Sequence, residues 1–390
     1  MKTGFLVAVA GAVALLAAPA AAQVPLKPGA TSLLLWRGDE QAAGFRTVET
    51  IYRTQVISRG HRTSPLPAAG RRIGASVSVE GTPIDLQDYM QRRRVSGLLA
   101  IKDGRVVLEA YGLGRTASDR WTSFSVAKSV TSSLVGAAIQ DGKIRSIDDL
   151  VVDYVPELKG SAYDGVSIRQ MLMMSSGVRW NEDYGDLRSD VVKMGMAASR
   201  PGPNPIVDYL GKLPRDHAPG ARFHYNTGET DLVAGLLKKA TGKPLAEYLS
   251  EKIWRPVGME QDGVWMVDGS GLERGGCCIS MTLRDYGRFG LFMLQDGVVG
   301  DRRILPPGWV KAATTPQIRN GAPDGGYGYF WWMVPGGYAA EGIFGQAIYV
   351  YPADRMVVVF NSAWPEADED ELWREQAAVA EGIRAAAGRR

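Results

Sequence analysis

The stretch Trp121–Val130, WTSFSVAKSV, sets a serine and a lysine three residues apart, just ahead of a small apolar run that continues to Ile139. Residues three apart on a helix share a face, so a helix beginning near Ser125 points its hydroxyl and the Lys128 amine into the same space. A serine hydroxyl is a poor nucleophile unless a base lies within hydrogen-bond reach, and a lysine in a desolvated pocket loses enough basicity to serve. The positive end of the helix dipole then lies where an oxyanion forms. Ser-x-x-Lys is a short pattern that chance supplies in long chains. Here it occurs once, and the run Val130–Ile139 reads as a helix buried on all sides, beside which a lysine needs a reason. Ser125 is therefore taken as a nucleophile and Lys128 as the group that activates it.

Upstream, GLLAIKDGRVVLEAY (97–111) has two β-rich runs flanking Asp103-Gly104, which predicts a hairpin with a tight turn. Downstream, Gly142 should end the Ser125 helix, and helical spacing returns at 147–154, 167–174, 231–240 and 245–253. WNEDYGD (180–186) breaks that pattern and is a candidate lid. Near the end, 327–333, 345–351 and 356–360 are β-rich, separated by Pro335-Gly336-Gly337 and by Pro352-Ala353-Asp354-Arg355, and 369–384 has helical composition. Strands from both ends of the chain must meet in one sheet. The expectation is an α+β fold, an antiparallel sheet flanked by helices, with a mainly helical second lobe over about 140–260.

The 390 residues, 45% of them hydrophobic, suffice for a large core, and the 45 basic and 42 acidic residues nearly cancel. The clusters Arg71-Arg72 and Arg92-Arg93-Arg94 are read as solvated surface, so no nucleic-acid partner is expected. Lys2, the apolar run 5–18 and Ala20-Ala21-Ala22 read as a cleavable signal peptide over 1–22, with the mature chain starting near Gln23 in the periplasm or outside the cell. No stable membrane anchor is expected. Residues 23–95 are assigned to an N-terminal extension packed on the main domain, 96–390. With only His61, His217 and His224, a zinc site is hard to assemble, and neither a Gly-x-Ser-x-Gly elbow nor a phosphate-binding loop is present. No metal or cofactor is expected. A Ser-His-Asp triad built on His224 would leave Lys128 unexplained.

A second proton carrier is expected downstream, and ARFHYNTGETDLVAGLL (221–237) offers Tyr225 just before a helix. A cationic lysine beside a phenol favours the phenolate, so Tyr225 could shuttle a proton from Ser125 to the leaving group. With Ser125-Val126-Ala127-Lys128, Tyr225-Asn226-Thr227 and Gly345-Gln346 in place, the chain resembles the penicillin-recognising serine hydrolases from about Gly97 to Phe360. WTSFSVAKS and WNEDY are most similar to the 6-aminohexanoate-dimer hydrolase branch. The resemblance implies a β-lactamase/transpeptidase-like fold, a site between sheet and helical lobe, and an oxyanion hole from the N–H groups of Ser125 and Gln346. It also implies that Tyr184 closes over substrate and contacts the amide nitrogen. Two departures stand out. Thr227, which by the resemblance should touch substrate together with Phe344 and Gly345, replaces the asparagine many relatives carry, and Ile343-Phe344-Gly345 stands where β-lactamases and peptidases carry Lys-Thr-Gly or His-Thr-Gly. If those residues form a strand, Phe344 or Ile343 faces the cleft beside Gly345, and the cation that greets a substrate carboxylate is missing. The expected activity is hydrolysis of small linear amides or esters. The alternatives are a β-lactamase or D-alanyl-D-alanine carboxypeptidase, and a silent binding domain. Cys277-Cys278, the only cysteines, read either as a disulfide between neighbours or as two buried thiols.

Overall fold

A computed structural model describes residues 33–200, 202–321 and 325–388, so the expected signal peptide, 1–22, lies outside the described residues. Its centre is an antiparallel sheet of six strands: β1 (Val95–Lys102), β2 (Arg105–Tyr111), β3 (Trp332–Val334), β4 (Gly337–Gly342), β5 (Gln346–Tyr351) and β6 (Met356–Ser362). They lie in the order β3-β4-β5-β6-β1-β2, so that β6 pairs with β1 and Val359 sits opposite Leu99. The β1–β2 turn is the expected one. Asp103 and Gly104 have φ of 51° and 73°, as a two-residue hairpin loop of matching twist requires.

Side chains alternate across β6, and both faces are buried, which is why the strand reads as the unbroken apolar run MVVVF. Met356, Val358 and Phe360 pack with Tyr89, Leu98 and Val379 on one face, under helix Asp370–Gly388. Val357 and Val359 pack with Leu99, Ile101 and Phe289 on the other, under helix Leu283–Leu294. Gly290 brings that second helix close: a Cβ there would lie 2.5 Å from Val357 Cγ1.

The helical lobe is built on α1 (Val126–Gln140) and α2 (Thr227–Thr241), and the helices of the sheet are α3 (Leu283–Leu294) and α4 (Asp370–Gly388). Helix α1 is buried without a break from Val126 to Ala138. Two of its hydroxyls reach backbone carbonyls, Ser129 that of Phe330 at 2.6 Å and Thr131 that of Gly275 at 2.9 Å, so burying these two costs little. Gly142, at φ 67°, follows its end.

Several expected elements are shorter than anticipated. The helices foreseen at 147–154 and 167–174 shrink to Val151–Tyr154 and Ile168–Leu172, because Leu150 and Ser167 pair in an extended bridge. The strand foreseen at 327–333 survives only as β3, and Pro335-Gly336, read as a separator, forms the turn into β4, a strand that was not foreseen. Before the main sheet, strand Thr54–Ile57 pairs with Gly263–Met266 in a second sheet that also holds Trp121–Thr122. That sheet anchors the chain just ahead of Ser125.

Candidate active site

Ser125 is the N-cap of α1, and the residue before it, Phe124, has φ of 43°, a left-handed conformation that a bulky side chain adopts only under constraint. The Lys128 amine, one turn on and buried, has three neighbours: Ser125 Oγ at 2.8 Å, Thr227 Oγ1 at 3.0 Å and the Gly276 carbonyl at 3.0 Å. Burial pushes its pKa down to about 8; the carboxylates of Glu182 and Asp231 oppose that shift and Arg274 adds to it. Gly276 O can only accept. The Thr227 hydroxyl donates to Glu182, so it too must accept from the lysine. A neutral Lys128 therefore spends its two protons on those oxygens and keeps its lone pair for the Ser125 hydroxyl.

Tyr225 lies against this pair, its ring centroid 4.9 Å from Lys128 Nζ and its face stacked on Trp332 at 5.6 Å. The expected phenolate is not supported. Lys128 sits over the ring face rather than at the oxygen, and burial followed by the nearby Glu182 charge pushes the phenol well above its ordinary range, against a hydrogen-bonding interaction with Ser125. Tyr225 is a neutral phenol that can give a proton. His224 makes no hydrogen bond to Ser125 among the described residues and is not among the residues lining the cleft; its Nε2 bonds to the Trp180 carbonyl at 2.8 Å.

Glu182 was overlooked in the sequence. Its carboxylate accepts from the backbone N–H of Thr227 at 3.0 Å, from the Thr227 hydroxyl, from Trp180 Nε1, and from the Tyr184 hydroxyl at 2.6 Å. It thus sits at the N-terminus of α2, where a helix favours negative charge. The acid stands in the WNEDY loop singled out earlier, but nothing in local spacing connects it to a helix 45 residues on. Thr227, expected to touch substrate, is buried and committed to Lys128 and Glu182. Tyr184 is half-buried on the cleft wall.

The stretch Ile343-Phe344-Gly345 is not a strand. It is the three-residue turn joining β4 to β5, with Gly342 opposite Gln346 and positive φ at Phe344 (61°) and Gly345 (85°). Strand alternation therefore does not apply. Phe344 turns away from the cleft into a cluster with Phe45 and Phe124, at 5.4 and 5.2 Å between ring centres, and is fully buried; Ile343 borders the cleft. Gly345 faces Trp364, whose ring would lie 2.4 Å from a Cβ. The Gln346 side chain is equally interior, binding Trp121 Nε1, the Phe344 carbonyl and the Ser362 carbonyl.

The backbone that runs beside the nucleophile is instead Gly342-Ile343, since a Cβ on Gly342 would come within 2.8 Å of Ser125 N. Neither the Ser125 nor the Ile343 N–H has a backbone acceptor among the described residues. Set against the Lys-Thr-Gly of β-lactamases, the matching triplet is then Ala340-Glu341-Gly342, three residues earlier than the sequence suggested. The cleft, of about 630 Å³, is lined by Ser125, Tyr225, Trp332, Gly342 and Ile343 among others. Arg222 is not among its lining residues and pairs with Asp216 at 3.4 Å. Cys277 and Cys278 are joined by a disulfide, directly after the Gly276 carbonyl that holds Lys128.

The Beta-lactamase family profile matches residues 85–381. The chain belongs to the beta-lactamase family. Members are serine hydrolases, and this beta-lactamase relative is 33% identical over 343 residues to the 6-aminohexanoate-dimer hydrolase of Paenarthrobacter ureafaciens, covering 83% of this chain and 86% of that one. Among solved structures, a Bacillus anthracis protein assigned as a 6-aminohexanoate-dimer hydrolase superposes with TM-score 0.80 at 21% identity, over 92% of this chain and 99% of that one. EstCE1, a hydrolase with promiscuous acyltransferase activity, superposes with TM-score 0.59 at 15% identity, over 77% and 96%. These likenesses establish the α+β fold of a sheet flanked by helices with a helical lobe.

Proposed function

We propose that this serine hydrolase cleaves linear amide or ester bonds of small molecules through an acyl-enzyme on Ser125. The observation that carries the reading is the Lys128 amine, 2.8 Å from Ser125 Oγ with its other two partners able only to accept. Neutral Lys128 takes the hydroxyl proton as Ser125 Oγ attacks the carbonyl carbon. The N–H groups of Ser125 and Ile343 receive the oxyanion, in place of the Gln346 N–H. Tyr225 gives its phenol proton to the leaving nitrogen or oxygen as the bond breaks and, as a phenolate, takes a proton back from the water that attacks next, while Lys128 keeps the serine proton for Ser125 Oγ. Water then attacks the ester on Ser125, and the same groups return the serine hydroxyl. Tyr184, on the cleft wall, donates its hydroxyl proton to Glu182 at 2.6 Å and keeps a lone pair that could accept from the scissile amide N–H, which supports the amide reading.

The name of the Paenarthrobacter relative supports a linear amide as substrate, and the absence of a cation lining the cleft among the described residues disfavours substrates with a carboxylate beside the scissile bond. The same reading includes a cleavable leader over 1–22 and a mature enzyme in an oxidising compartment, which the Cys277–Cys278 bond supports. A fluorophosphonate should label the purified protein at Ser125, and Lys128→Ala should lose roughly a hundredfold to ten-thousandfold in kcat/KM on a short ester. Near-normal turnover by Lys128→Ala would remove the lysine from the mechanism.

A further inference from the structure

The loop that supplies the Gly276 carbonyl to Lys128 is held from both helices of the lobe. Residues 274–277 form a tight turn, closed by the Cys277 N–H donating to the Arg274 carbonyl at 3.2 Å, with Gly275 and Gly276 at its centre. Both glycines permit close approach. A Cβ on Gly275 would lie 2.3 Å from the Thr230 carbonyl oxygen, and one on Gly276 would lie 2.8 Å from Thr227 Cγ2. Two glycines in succession leave the backbone free to rotate, so the turn must be fixed from outside. The peptide between them is gripped at both ends. Its carbonyl, on Gly275, accepts from the Thr131 hydroxyl at 2.9 Å, and its N–H, on Gly276, donates to Asp231 Oδ1 at 3.1 Å. Thr131 stands one turn after Lys128 on α1, and Asp231 one turn after Thr227 on α2, so one face of each helix reaches both the amine and the turn. The second Asp231 oxygen is bound by Arg274, at 2.9 Å from Nε and 2.8 Å from Nη2. Asp231 is buried and does not line the cleft, so any effect it has on the reaction runs through this turn or through its charge.

We propose that Asp231 is a positioning residue for the hydrolysis: it holds the Gly275–Gly276 peptide so that the next carbonyl, that of Gly276, stays on the Lys128 amine and the amine's lone pair stays on Ser125 Oγ. The inference rests on the Ser125 hydrolase reading. A neutral amine has two protons, and besides the serine Lys128 has two acceptors, Thr227 Oγ1 and Gly276 O. Thr227 opens α2 and is fixed by it. Gly276 O is fixed only through its turn. If that turn swings away, an amine proton is left to seek the Ser125 oxygen, and the lone pair no longer faces the hydroxyl it must deprotonate. Asp231 acts by charge as well: its carboxylate favours the lysine cation, and Arg274 opposes it. Removing the carboxylate withdraws that support and leaves Arg274 without its counter-charge, and both changes lower the lysine pKa. The charge effect therefore shows in the position of the rising pH limb, and the positioning effect in the height of the plateau above it.

The test follows kcat/KM for a neutral short ester against pH in the wild type and two variants, with denaturation midpoints measured alongside. Asp231→Ala, which releases the Gly276 N–H, should lose roughly tenfold to a hundredfold on the plateau. Asp231→Asn keeps an acceptor for that N–H without the charge. It should recover most of the lost plateau, with its rising limb at lower pH than in the wild type. A purely structural Asp231 would lower the midpoints and leave plateau and limb where they are; that result, or an equal plateau loss in both variants, overturns the proposal and leaves the hydrolase reading standing. Should Asp231→Ala fail to fold, Thr131→Val, which frees the other end of the same peptide and keeps the side chain's shape, takes its place. An undiminished plateau in Thr131→Val overturns the proposal. Turnover absent from the wild type would count against the hydrolase reading instead, and the amine can still be followed directly. In Ser125→Ala with isotope-labelled lysine side-chain nitrogen, the Lys128 resonance, identified by its absence from Lys128→Arg, should titrate at lower pH once Asp231→Asn is added. An unmoved titration removes the coupling of Asp231 to Lys128 and overturns the proposal.

Discussion

As a cation Lys128 has three protons for its three oxygen neighbours, and as a neutral amine it has two and a lone pair. Only the second form can take the serine proton. With its pKa held at about 8, kcat/KM for a neutral ester should climb with pH through about 8 and then level off. Glu182 is the leading charge that favours the cation, so Glu182→Gln should lower the lysine pKa and move this rising limb to lower pH. A limb that stays put or moves upward would show that another group titrates. Ser125, Lys128 and Tyr225 were legible in the sequence because two of them lie one helical turn apart and the third directly precedes a helix. Glu182 was not, because its link to Lys128 runs through Thr227 on a distant element.

The turn between β4 and β5 shows what sequence pattern does and does not convey about an element. β6 and the β1–β2 hairpin were readable from apolar runs and from Asp103-Gly104. β4 was not, because glycines open and close it and a Pro-Gly pair precedes it. Missing it placed the nucleophile-facing glycine at 345 instead of 342 and turned Phe344 toward substrate. The two placements predict different outcomes. Since Phe344 is a fully buried ring, Phe344→Ala should destabilise the fold by about 3–5 kcal/mol, read as a lower denaturation midpoint. Gly345→Ala, with φ of 85° and a Trp364 ring in the way, should also lower it. A Phe344 that faced solvent in the cleft would give little change in midpoint and a change in substrate range.

Across the whole molecule, the helical lobe lies in sequence between the two groups of strands that make the sheet. The same large-scale arrangement brings the segment 276–278 against α1: Gly276 O holds Lys128, and the Cys278 N–H donates to the Phe124 carbonyl at 3.4 Å. Thiol titration of the unfolded, unreduced protein should find no free thiol if the Cys277–Cys278 bond of the structure is present in the isolated protein; two free thiols would exclude it. The ladder that sets Val359 opposite Leu99 has a further consequence, in time rather than in space. A ribosome extends a chain at about 5–20 residues per second, so the β1–β2 hairpin and the lobe that carries Ser125 emerge well before the strand that flanks β1. Until residue 362 is made, the outer edge of β1 has no partner within the chain, and the nucleophile exists without the cleft that would put it to use.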